Sequence, residues 1–141
     1  MNPLDHQIGG DHYKHCAIEP VQYWQANMLQ GCESMVVKYV TRWRDKGGVE
    51  DLHKARHFIR FIQADSLYQR MLRKLCGACV HGAWWHNRIT SLEYTRANKL
   101  DREEAGVVRH ITNWNHTGSP ADLRAAEKWM EELIDKASGE G

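Results

Sequence analysis

A chain of 141 residues with 42% hydrophobic and 26% charged side chains is long enough to bury a core, as one domain or two very small ones. Its net charge of +1 gives no overall basic field for nucleic acid, and no apolar run approaches membrane-spanning length. The N-terminus Met-Asn-Pro-Leu-Asp-His lacks the basic-then-apolar order of a signal peptide, so a cytoplasmic protein without nucleic-acid or membrane partners is expected. In that compartment Cys16, Cys32, Cys76 and Cys79 are expected as thiols rather than disulfides.

Residues 1–17 carry no periodicity and read as an extended arm. Pro20 suits the first turn of a helix, and Pro20 to Leu29 would place Val21, Trp24 and Met28 on one face before Gly31 interrupts it. A second helix from Cys32 to Lys46 would bury Met35, Val36, Tyr39, Val40 and Trp43, with Gly47-Gly48 as its left-handed cap. Leu52, Ala55, Ile59 and Ile62, then Leu67, Met71 and Leu75, continue at helical spacing, so one long third helix from Val49 to Leu75 is predicted. Nothing alternates with period two over a useful length, and the fold class expected is all-α.

Cys76-x-x-Cys79 with His81 and His86 lies in a glycine-punctuated connector. The spacing matches no common finger and only one cysteine pair is present, so zinc is not expected.

Sliding the chain by 71 residues lays His15 to Gln63 on His86 to Ile134, with 15 of 49 positions identical. Chance gives on the order of three, so a tandem duplication is predicted: a first helical repeat over 1–75, a connector over 76–85, and a second, degenerate repeat over 86–141, packed as a pseudo-dimer. Apolar positions, Gly47 and Gly118, Thr41 and Thr112, and Asp51 and Asp122 correspond. The cations do not. Lys38 persists as Arg109, but Arg42, Lys46 and Lys54 become Asn113, Thr117 and Ala125. Residues 38–60 hold seven cations and three anions; residues 109–131 hold three of each.

Lys38, Arg42 and Lys46, at i, i+4 and i+8, would line one helix face. Like charges at that spacing repel unless an anion offsets them. Residues needed only for folding should persist in both repeats, so the lost cations are the candidate site. A guanidinium fork makes Arg42 the first choice for a bidentate phosphate contact, with Lys38, Lys46 and Lys54 adding charge. Asp51, kept as Asp122, fits a cap or turn role, or an orienter of Lys54 or of a metal. His12 and Tyr13 have no counterparts in the second repeat and could close over a base or donate a proton.

His12-Tyr13, Glu19-Pro20-Val21-x-Tyr23, Lys38-Tyr39-Val40-Thr41-Arg42 and Lys46-Gly47-Gly48-x-Glu50-Asp51-Leu52-x-Lys54-Ala55 resemble the small helical domain of the nucleotide kinases of T-seven-like phages. The resemblance implies a phage transferase, a homo-oligomer in the cytoplasm of an infected bacterium. It implies phosphorylation of a deoxynucleoside monophosphate by a nucleoside triphosphate, with Mg2+ accompanying the donor. Lys38, Arg42 and Lys46 would then be catalytic, and His12, Tyr13, Asp51 and Lys54 would bind substrate. Sequestering a nucleotide without turnover is the alternative use of the same cations.

Overall fold

Pro20 lacks an amide hydrogen to leave unpaired, and a helix starts on it, with the Glu19 N–H donating to Gln22 Oε1 at 2.8 Å. This α1, Pro20–Ala26, begins the fold in a computed structural model that describes residues 5, 13, 15–64, 70–72, 75 and 88–139. It is followed by α2 (Gly31–Arg42), α3 (Val49–Gln63), α4 (Ser91–Ala97), α5 (Arg102–Thr117) and α6 (Pro120–Gly139). The protein is all-α, with no strand among the described residues. No helix among them is long and apolar enough to cross a membrane.

α4 opens with a reciprocal cap. Glu93 N–H donates to Thr90 Oγ1 at 3.1 Å, and Thr90 N–H donates to Glu93 Oε2 at 2.7 Å. Gly118 closes α5 in the left-handed region (φ 66°), its N–H reaching the Trp114 carbonyl.

Several boundaries differ from the sequence reading. α1 ends at Ala26 because Asn27 turns its side chain inward, donating to the Tyr23 and Ile89 carbonyls, and Met28 follows at φ 51°. The buried side of α1 is Tyr23 with Asn27; Met28 is exposed. α2 ends at Arg42, four residues early, in a turn in which Gly48 (φ 58°) donates to the Trp43 carbonyl. Its fully buried positions are Glu33, Val36, Val37 and Val40, while Met35, Tyr39 and Trp43 are half-buried. α3 stops at Gln63 instead of running to Leu75, and the Arg70 guanidinium donates to the Gln63 carbonyl at 3.0 Å; residues 70–72 and 75 are helical, and 65–69, with Leu67, lie outside the described residues. Met71 and Leu75 are exposed. Cys76, Cys79, His81 and His86 lie outside the described residues.

α2 packs on α3 and α5 on α6. The two pairs join where α2 meets α5 and α3 meets α6, with α1 against α2 and α4 against α5. One core runs through all of them. At its centre the Tyr23 and Tyr94 rings stack at 4.3 Å. Tyr23 hydrogen-bonds Thr112, and the Tyr94 hydroxyl meets Thr41 Oγ1 at 2.6 Å. Trp43 Nε1 donates to buried Glu104 at 2.8 Å, and Trp114 Nε1 donates to buried Glu33 at 3.2 Å. Asn98 brackets the Ile18 backbone, donating to its carbonyl and accepting from its amide, as Asn27 donates to the Ile89 carbonyl.

Candidate functional site

α2 carries Lys38 and Arg42, and the turn after it carries Lys46, whose N–H bonds the Arg42 carbonyl and so prolongs the helical path by about one turn. α3 supplies Asp51 and Lys54. Tyr39 stands between them: the Arg42 guanidinium lies 4.8 Å from its ring centre, Lys38 Nζ 5.7 Å and Lys54 Nζ 6.0 Å. The ring stacks in turn on Phe58 at 6.1 Å. Lys38, Arg42 and Lys54 therefore converge around an aromatic ring that the sequence reading placed only in the core, while Lys46 is not among the cations over it.

Arg42 is anchored from below. Its Nε donates to Asp51 Oδ2 at 2.9 Å and its Nη2 to Asp51 Oδ1 at 3.4 Å, and the Asp51 side chain is 1% exposed. Gly47 makes room for this carboxylate: a Cβ there would stand 2.2 Å from Asp51 Cγ. Lys54 pairs with Glu50 at 2.9 Å and with Asp51 at 3.6 Å, and its charged form is favoured first by the Glu50 hydrogen bond. Tyr13 covers the guanidinium from the arm; burial pushes its phenol up, opposed by a hydrogen bond to Arg42. His12 lies outside the described residues.

Lys38 and Lys46 are different. Neither has a carboxylate partner among the described residues. Burial first, then repulsion from Arg42 and Lys46, holds the Lys38 ammonium below its ordinary value of 10.5. This half-buried lysine is made more acidic by burial and then by its cationic neighbours, an arrangement that an oxyanion would relieve.

The second half explains part of the lost charge. Asp122 keeps a side-chain partner, but it is His110, at the position of Tyr39, whose Nδ1 lies 2.8 Å from Asp122 Oδ1. Replacement of Arg42 by Asn113 therefore accompanies a change of partner for the same carboxylate. Arg44 bonds Asp101 at 2.6 Å and pairs with Glu104, and its counterpart Asn115 accepts from the Gln30 N–H at 3.0 Å. Both of these changes have structural accounts. Lys54 is lost together with its partner Glu50, whose counterpart is Ala121, and the change at 46 has no such account.

A separate cleft of about 370 Å³ lies between Cys16, Thr41, Arg44 and residues 97–100, beside an exposed His15–Asp45 pair at 2.9 Å. It contains none of the four candidate cations.

Residues 8–60 match the model of a domain family described as a protein of unknown function, DUF3310. The match takes in Tyr13, Lys38, Arg42, Lys46, Asp51 and Lys54 and ends before the second half. No curated protein and no solved structure matches the chain. This corrects the resemblance drawn from the motifs: nothing identifies a nucleotide kinase family. The physical reason is visible in the motif residues, several of which build the scaffold. Arg42, Gly47 and Asp51 form one buried pair and its seat, and Leu52 and Ala55 are core.

Proposed function

We propose that the α2–α3 face binds the phosphates of a nucleotide, with Lys38 and Lys46 in direct contact. The observation that carries this is the convergence of Lys38 and Lys46 beside Arg42 without carboxylates of their own among the described residues. Arg42, held by Asp51, keeps its remaining N–H groups for a phosphate oxygen, and Lys54 adds charge from α3. Tyr13, with His12 beside it in sequence, would close over the sugar or base.

Phosphoryl transfer from a nucleoside triphosphate with Mg2+ to a deoxynucleoside monophosphate is the stronger form of the same proposal. Binding without turnover is favoured over it by one observation: the carboxylate nearest the cations, Asp51, is committed to Arg42 and Lys54 and is poorly placed to take a proton.

A melting-temperature screen over nucleoside mono-, di- and triphosphates tests the proposal, since a ligand that binds only the folded state raises the melting temperature. The double variant Lys38→Ala/Lys46→Ala should lose the rise. Because only the ammonium form binds phosphate, affinity should also weaken as pH rises through the lowered value of Lys38. Absence of a rise with every nucleotide would sink the idea. Labelled triphosphate separates binding from transfer.

We also infer that the chain is a tandem duplication packed as an intramolecular pseudo-dimer, which joins others in a homo-oligomer. The internal packing is supported by reciprocity: Tyr23 with Thr112 and Tyr94 with Thr41, or Trp43 with Glu104 and Trp114 with Glu33, exchange roles between positions 71 apart. Met28 and Lys99, the non-glycine residues at positive φ among those described, also stand 71 apart. Light scattering on the purified chain tests the oligomer.

A further inference from the structure

One face of α5 presents Arg102, Ala105, Gly106 and Arg109, at i, i+3, i+4 and i+7. Two small residues lie between two arginines roughly 10 Å apart along the axis. Trp129 of α6 lies directly on this bare stretch of helix. A Cβ at Gly106 would stand 2.6 Å from the indole Cγ and Cδ2, so only glycine admits the ring there. Leu92 and Thr95 of α4 form the opposite wall, and a cleft of about 310 Å³ is left between them. That is the lower end of the usual range for small-molecule sites.

The charge of the cleft is one-sided. The Arg102 guanidinium lies 5.1 Å from the Trp129 ring centre, and Arg109 meets His110 Nε2 at 3.1 Å. Among the described residues neither arginine pairs with a carboxylate, and no acid lines the cleft. The first half is bulkier at the matching positions. Trp24 stands where the second half has Thr95, and Met35 where it has Gly106. The half that lost its cationic row has thus exchanged two large side chains for small ones beside an indole.

We propose that this cleft is a second ligand site, separate from the α2–α3 face, for a planar aromatic molecule bearing an anionic group, of the nucleoside monophosphate class. The planar body lies against Trp129 and Leu92, where every nucleobase has a stacking face. The anion lies within reach of Arg109 or Arg102, whose forks match phosphate oxygens. The choice of a nucleotide rests on the reading of the first site; the geometry of the cleft does not.

The probe is adenosine monophosphate, titrated calorimetrically into the full chain carrying Lys38→Ala/Lys46→Ala, so that the first face is silent. Binding is expected, and adenosine or inorganic phosphate alone should bind at least about tenfold more weakly, each lacking half of the recognition. Adding Arg102→Ala/Arg109→Ala should weaken binding by a similar factor with the melting temperature unchanged, since both side chains are exposed. Gly106→Met, which restores the side chain found at position 35, should fill the cleft. Because it also displaces Trp129, the arginine pair remains the deciding variant. Trp129→Phe should remove the fluorescence quenching that accompanies stacking. Failure of the Lys38→Ala/Lys46→Ala chain to bind adenosine monophosphate would overturn this site and leave the first-face proposal standing. Binding indifferent to Arg102→Ala/Arg109→Ala would overturn it too.

Discussion

Asp51 shows how one residue can belong to a motif without doing the motif's chemistry. Its carboxylate is fully buried, seated where Gly47 has no side chain, and gripped by the Arg42 fork. Its persistence as Asp122 is legible in the sequence and does point to architecture. The exchange of its partner from Arg42 to His110 is not, because positions 42 and 110 do not align and only the folded chain brings the latter to Asp122. Loss of a residue in one half is thus weaker evidence of function than it looks, unless the structure offers no substitute. Neither Arg42 nor Lys54, whose partner Glu50 is lost with it, meets that condition; Lys46 does. Asp51→Ala leaves a mostly buried guanidinium without its counter-charge, and a loss of about 3 kcal/mol in urea unfolding is expected, against well under 1 kcal/mol for an exposed pair. A loss below 1 kcal/mol would mean that Arg42 swings to solvent, and that the pair is not what holds it in the site.

Among the elements, α3 up to Gln63 was readable because Leu52, Ala55, Ile59 and Ile62 keep helical spacing and all are buried. Its end was not, since the spacing runs on through Met71 and Leu75, and the helix closes at Ala64, where no glycine or proline marks the stop. The ends of α1 and α4 were hidden for another reason. Both close through a left-handed residue, Met28 (φ 51°) and Lys99 (φ 54°), where the usual signal would be glycine. Side chains resist that region by about 1 kcal/mol or more, so these two helices end under mild strain. Lys99→Gly is therefore expected to stabilise the fold by about 0.5–1 kcal/mol, the relief being partly offset by the greater freedom of glycine in the unfolded chain. Gly118→Ala, at φ 66°, should cost about as much. A shift of the two urea midpoints in opposite directions, at unchanged slope, is the signature; shifts in the same direction would contradict it.

On the scale of the whole molecule the two halves cannot be separated without opening the core. Tyr23 and Tyr94 stack on one another, and each phenol bonds a threonine from the opposite half. A single unfolding transition follows, coincident by tryptophan fluorescence and by circular dichroism. The same pair gives that transition a particular alkaline limit. Burial raises the Tyr23 phenol from 10.0 to about 12, and raises Tyr94 in the same direction. Above pH 10 the unfolded chain releases the Tyr23 proton while the folded chain retains it, so the folded state binds more protons and stability must fall with rising pH. The contribution is complete below pH 10 and is lost progressively towards pH 12, amounting to roughly 2–3 kcal/mol from this residue. Tyr23→Phe removes the titrating group and one hydrogen bond. The cost is about 1 kcal/mol at neutral pH, since Thr112 still donates to the Val108 carbonyl. Above pH 10 the variant should lose stability less steeply than the parent, and the two curves should converge or cross. Parallel curves would show that Tyr23 titrates freely in the folded chain, and two separate transitions would show that the halves do not share the core described here.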